Sequence, residues 1–312
     1  LYGGAEALGE SIRARVRQWT GLPVCVGIGP TKTLAKLANH VAKKRPEYQG
    51  VCDLHALTRW ERRRLMSDIE VSEVWGVGRR WSERLAELGI RTVLQLRNTE
   101  PKILRPLFGV VMERIVEELR GISCLPLEMV APPRKQILSS RSFGRVVESR
   151  EDLSEAVSSY MGRAAEKLRA QGSLAGAVQV FLETNAFKAD EPQYHPAYLI
   201  SLPEPTDDTL RLTRAALMGL RSIYRSGYRY KKAGIVLMLL SPRESRQYGL
   251  FASSEDEARS DRLMKVMDQV NRRYGRDALK SAACGFSQGW AMRADNRSPR
   301  YTTQWDELPE VR

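Results

Sequence analysis

The sequence predicts an α+β protein of more than one domain, and three observations carry that reading. Strand-like and helical stretches alternate twice over residues 135–241, the pattern of a βαββαβ domain with two helices on one face of a four-stranded sheet. Helical periodicity flanks Gly76-Val77-Gly78, as expected of two helices joined by a tight hairpin. Between the two regions stand Leu125-Pro126 and Ala131-Pro132-Pro133, an extended and semi-rigid connection. A chain of 312 residues also exceeds what one compact core holds, so two or three domains are expected.

In chain order, Ala5–Trp19 reads as an amphipathic helix and Leu22–Ile28 as a short strand. Thr31–Lys44 reads as a helix with Leu34, Leu37, Ala38 and Val41 on its buried stripe, and Lys32, Lys36 and Lys43 share roughly one side of it. The glycine turn before this helix resembles a phosphate loop. The Gly-x-x-x-x-Gly-Lys-Ser/Thr spacing is absent, which excludes a nucleotide P-loop. Arg62, Arg63 and Arg64 follow and are candidates to face nucleic acid; three consecutive residues cannot share one helix face, so at least one is solvated.

The stretch Val71–Leu96 organises the rest. Trp81, Leu85 and Leu88 lie at helical spacing after Gly78, Gly89 stands where a left-handed cap is wanted, and Ser82 is small enough to admit a neighbouring helix. Such a helix-hairpin-helix leaves backbone N–H groups bare at a helix start. A phosphate oxygen can bind there without any base being read. Gly76, Gly78, Arg79 and Arg80 are therefore candidate phosphate-backbone contacts. Pro101–Arg120 supplies one or two further helices.

Beyond the prolines come a strand over Gln136–Val147, a helix over Glu151–Gln171 and a strand over Ala175–Thr184. A strand over Ala197–Leu202, a helix over Asp207–Tyr224 capped by Thr206, and a strand over Lys232–Leu240 follow. The sheet face without helices stays open. Ser139, Ser140, Arg141, Ser142 and Arg145 on the first strand are candidate phosphate donors. After the sheet, Gln247-Tyr248-Gly249-Leu250-Phe251 places an apolar pair in a polar linker, awkward unless a partner buries it. A last helix over Ala258–Tyr274 shows Leu263, Val266, Met267 and Val270 as a stripe.

Composition narrows the function. A formal net charge of +13 and a pI near 9.8 predict a polyanionic partner, nucleic acid above all. Cys25, Cys52, Cys124 and Cys284 are far apart and without paired histidines, which argues against a zinc site or a disulfide framework and fits a reducing cytoplasm. The longest apolar run, Ile235–Leu240, is far short of a membrane span, so no membrane partner is expected. The start at Leu1 rather than methionine fits a fragment, a processed chain or a trimmed one.

The segment VGIGPTKTLAKLANHVAKK, followed by VWGVGRRWSERLAELGI, resembles the Y family of translesion DNA polymerases. Trp75 before the hairpin and the block after residue 230 resemble its bacterial UmuC type. The resemblance spans essentially the whole chain. It implies that residues 1–52 are the rear of a palm, 53–123 a helix-hairpin-helix thumb, 124–134 a linker, 135–241 a little finger and 242–312 a UmuC-type tail. It implies that Lys43 contacts the triphosphate of the incoming nucleotide, a task suited to a point charge. It further implies that Gln247, Leu250 and Phe251 dock on the β sliding clamp as an extended peptide, and that a UmuD-type accessory subunit and RecA are partners. Damaged-DNA binding and error-prone synthesis in the SOS response are the implied function.

One departure bears on mechanism. Polymerases of this family hold two Mg²⁺ ions on an early Asp and an adjacent Asp-Glu pair, residues upstream of the helix that opens this chain. Only Glu6 and Glu10 precede the first strand here. The expectation is a piece without the catalytic carboxylates or fingers, needing no Mg²⁺ of its own. The alternative is a stand-alone noncatalytic module that binds DNA and the clamp. A third reading is a helix-hairpin-helix structural protein or nuclease subunit; the lack of clustered Asp, Glu or His counts against a nuclease.

Overall fold

A computed structural model of the chain describes residues 4–127, 132–246, 254–292, 299–300 and 303–308. It divides into two units, Leu1–Val130 with Ser298–Arg312, and Ala131–Arg297.

The first unit begins with helix α1 (Ala5–Thr20) and strand β1 (Val26–Ile28), which pairs in parallel with β2 (Val51–Asp53). Between them runs α2 (Lys32–Lys44), capped by the Thr31 hydroxyl, which accepts from the Leu34 N–H. Gly27 is where β1 meets this helix. A Cβ there would lie 2.1 Å from the Asn39 backbone nitrogen, so only glycine permits the approach. The strand is shorter than the Leu22–Ile28 expected, because the residues before Val26 make no ladder with β2. Five helices follow: α3 (Arg59–Asp68), α4 (Arg79–Glu87), α5 (Val93–Asn98), α6 (Pro101–Phe108) and α7 (Val110–Arg120). The stretch Pro101–Arg120 is thus two helices, parted at Gly109. One apolar core, running from Leu34 on α2 through Leu85 and Leu96 to Leu119 on α7, ties them together. Leu88 is an exception, half exposed at the end of α4.

The second unit is an antiparallel sheet of β3 (Ile137–Val147), β4 (Ser173–Thr184), β5 (Ala197–Thr206) and β6 (Tyr230–Pro242) in the order β3-β6-β4-β5. Helices α8 (Arg150–Ala170) and α9 (Thr209–Ile223) pack against one face, where Tyr160, Leu168, Val180, Leu220 and Ile235 form the core. The α9 cap is Asp208, not Thr206. Its carboxylate accepts from the Leu210 and Arg211 N–H groups, while the Thr206 hydroxyl accepts from the Asp208 N–H. A carboxylate two residues nearer the helix satisfies two orphan amides at once and wins the position.

The last helix, α10 (Ser254–Tyr274), belongs to this unit. Its expected apolar stripe is buried only in part: Met267 and Val270 are partly buried, whereas Leu263 and Val266 are about half exposed. The buried side carries Glu257 and Met264, with Ser260 and Asp268 bonded to Asp208 and Arg169. Trp290, further along the tail, enters the sheet core edge-on to Phe143 and Tyr160.

Candidate nucleic-acid interface

The hairpin at residues 74–78 is built from local bonds. Val71 N–H donates to the Arg91 carbonyl and Val93 N–H to that of Ile69, fixing the base of the hairpin. The Val77 N–H closes the turn on the Val74 carbonyl at 2.9 Å. Val74 and Val77 point into the core while Trp75 is half exposed. Gly76 takes φ +95°, a region that L side chains avoid. Gly78 is the N-cap of α4 and has no side chain to satisfy the helix start. The first amides of α4 have no acceptor within the helix, and the N-terminal end of the helix dipole favours an anion there.

Arg79 and Arg80 lie beside these amides, both exposed. The Arg79 guanidinium donates to the Glu83 carboxylate at 2.9 Å, one turn on, a bond that raises its pKa. Trp81 packs edge-on to Phe108, and Arg84 lies over the same ring while donating to the Leu107 carbonyl. These contacts lead to a second hairpin. There α6 ends at Phe108, Gly109 turns with φ +83°, and α7 starts at Val110 without any side-chain cap. Sequence reading passed over this hairpin, though Phe108-Gly109-Val110 between two helical stretches was the available signal.

On α2, Lys43 is exposed, and the Lys32 ammonium donates to the Pro126 carbonyl. Lys32, Lys36, Asn39 and Trp75 together line a cavity of about 370 Å³ beside the first hairpin, a grouping of lysines with an aromatic ring that sequence separation hid.

On the sheet, the five candidate residues divide, and Ser139, opposite Ile235, is buried on the helix side. Pairing sets Ser140 opposite Gly234 and Ser142 opposite Lys232, whereas Arg141 stands opposite Ala233, a member of the core. Because side chains alternate across a strand, Ser140 and Ser142 face the open side, and Arg141 lies on the helix side with Ile137 and Phe143. Arg145 is on that side too, held by the Asp152 carboxylate of α8 at 2.7 Å and by the Gly289 carbonyl. The open face itself carries Leu138, Phe181, Val236 and Leu199, together with Lys232, which pairs with Glu183 at 3.3 Å and lies over the Phe181 ring. Gln247, Leu250 and Phe251 lie outside the described residues. The last residue before them, Arg246, is ion-paired with Glu257 on α10.

Comparison with known proteins adds the following. Residues 1–40 match the impB/mucB/samB family, residues 134–250 match the C-terminal domain of that family, and residues 261–311 match a domain of unknown function (DUF4113). The UmuC protein of Salmonella typhimurium is 44% identical over 305 residues, covering 97% of this chain and 72% of its own length. The ImpB protein of Salmonella typhimurium is 40% identical over 307 residues, with 98% and 72% covered. Among solved structures, a Y-family DNA polymerase chimera of Dbh and Dpo4 superimposes with a TM-score of 0.52 at 16% identity. That match covers 78% of this chain and 66% of the chimera, and shows likeness of fold.

Proposed function

The chain belongs to the UmuC/ImpB/MucB/SamB family, the error-prone translesion branch of the Y-family DNA polymerases, and we propose that it supplies the DNA-gripping part of such an enzyme. The observation that carries the proposal is the pair of glycine hairpins, each opening a helix with uncapped amides, on a chain of net charge +13. Amides and a helix dipole hold phosphate oxygens irrespective of sequence. That suits an enzyme obliged to extend past damaged bases.

In this reading α3–α7 act as the thumb on the duplex backbone, and the four-stranded sheet acts as the little finger. Residues 1–52 are the rear of the palm, with Lys43 reaching the triphosphate of the incoming nucleotide. Ser140 and Ser142 donate from the open sheet face. Arg141 and Arg145 serve the helix side of the edge strand instead. The peptide Gln247–Phe251 docks on the β sliding clamp. A UmuD-type subunit and RecA are the further protein partners. Y-family polymerases depend on Mg²⁺. Among the described residues, however, no three His, Cys, Asp or Glu side chains lie close enough to hold a metal, so these residues do not fit a metal centre.

The test is binding to a primed template over a salt series, with primer extension followed in the same samples. Affinity should fall steeply with salt. Arg79→Gln/Arg80→Gln should flatten the log–log slope by about 2, near 0.9 for each phosphate no longer neutralised. Salt-insensitive binding, or a slope unchanged in the double variant, would sink the hairpin assignment.

A further inference from the structure

The first unit contains a second cationic feature that shares no lining residue with either hairpin turn. Five arginines line a cavity of about 290 Å³: Arg59, Arg62 and Arg63 from α3, Arg97 at the end of α5, and Arg120 at the end of α7. Its floor is apolar, with Leu54 and Leu119 each 1% exposed. No Asp or Glu is among the described residues lining it. The nearest ion pair is Arg120 with Glu100 at 4.0 Å. Arg64 is not part of the group, because its guanidinium lies over the Trp60 ring.

Folding alone does not account for this arrangement. Arg59, Arg62 and Arg63 occupy the first turns of α3, where the helix dipole disfavours cations. Burial lowers the Arg97 pKa, and so do Arg63, Arg120, Arg59 and Arg62 around it. The Arg120 guanidinium is meanwhile aimed by two backbone carbonyls, those of Arg97 at 3.0 Å and Thr99 at 2.9 Å. Converging like charges, one of them pre-oriented, are what an anion site requires before its ligand arrives.

We propose that this cavity binds a single nucleotide unit, its phosphates on the arginine rim and its sugar and base edge on the floor formed by Leu54 and Leu119. The guanidinium fork matches a pair of phosphate oxygens, and a lone carboxylate would offset only one of five cations. The volume lies near the lower end of the ~300–1,000 Å³ range of small-molecule sites, enough for one nucleotide and too little for a duplex. The unit comes either from an unpaired strand or from a free nucleoside triphosphate.

Calorimetry on the whole chain separates these sources, using a four-nucleotide oligothymidylate, dTTP and inorganic triphosphate, each against sulfate at matched ionic strength. Binding of the oligonucleotide alone assigns the site to a strand; binding of dTTP with or without triphosphate assigns it to free nucleotide; both support the site. Arg59→Gln/Arg63→Gln, on the exposed side of α3, should weaken that binding by about tenfold or more without lowering the thermal midpoint. Arg79→Gln/Arg80→Gln should weaken duplex binding and leave the binding of the nucleotides unchanged. The proposal is overturned if sulfate binds as well as the nucleotides, if Arg59→Gln/Arg63→Gln has no effect, or if a polyglutamate peptide binds more tightly than either nucleotide.

Discussion

Glu118 illustrates how much one residue organises in the first unit. Its side chain is 1% exposed and accepts from the Thr33, Cys124 and Leu125 N–H groups, while its carbonyl accepts from the Thr31 hydroxyl. One carboxylate therefore joins the end of α7 to the start of α2 and to the turn that follows. Burial pushes its pKa up, but the three backbone bonds outweigh burial and hold it below the ordinary value. A lowered folded pKa gives stability that is complete above the unfolded value near ~4.3 and is lost as pH falls through the folded one. Glu118→Gln should cost about 2 kcal/mol at neutral pH, since buried amides lose a charged acceptor. In urea titrations the gap between variant and wild type should narrow steadily below pH ~4. A gap that stays constant down to acid pH would show that the carboxylate charge is not what matters. Nothing in the sequence marked Glu118: it lies more than 80 residues from Thr33, and no local pattern reports a contact that distant.

At the scale of elements, α10 separates what hydropathy can foretell from what it cannot. Its start in acid and end in base are legible, and so are its existence and its last residue. Its buried side is not, because that side is held by ions. Asp268 receives two bonds of 2.7 Å from Arg169, and Glu257 is shared by Arg211 and Arg246. Arg243 bridges Asp207 and Asp261, and burial keeps the Asp207 pKa above its ordinary value despite both Arg243 and Arg169. A helical-period scan counts such residues as solvent-facing. It therefore chose Leu263 and Val266, which the fold leaves half exposed. The strands of the sheet were legible to within a few residues because their core side alternates cleanly. On β3, period two divides Ser140 and Ser142 from Arg141, a division that a run of consecutive polar residues conceals. For α10 the expected outcome is specific. Glu257→Ala removes the carboxylate that two arginines contact at a site where Glu257 and Arg246 are both under one-tenth exposed, and should cost about 3 kcal/mol. Amide exchange over residues 254–274 should quicken markedly while that of β4 and β6 does not, and equal quickening everywhere would mean that α10 is part of the sheet's own cooperative unit.

Over the whole molecule, two units each with its own core imply that functions located in different units can be removed one at a time. The basic excess works at long range, drawing DNA to the chain before any particular contact forms. In the proposed reading, specific contacts belong to short segments: the two hairpins in one unit, and residues 247–251 in the sequence of the other. Energies at sites that share no partner add within a few tenths of a kcal/mol. Leu250→Ala/Phe251→Ala should therefore abolish retention by immobilised sliding clamp and leave duplex affinity within about twofold of wild type. The hairpin variant Arg79→Gln/Arg80→Gln should give the opposite pattern. Combining all four substitutions should reproduce both losses without enlarging either. A quadruple variant whose duplex affinity falls well beyond that of the hairpin variant would mean that the apolar pair touches DNA, and the clamp assignment of Gln247–Phe251 would have to be given up.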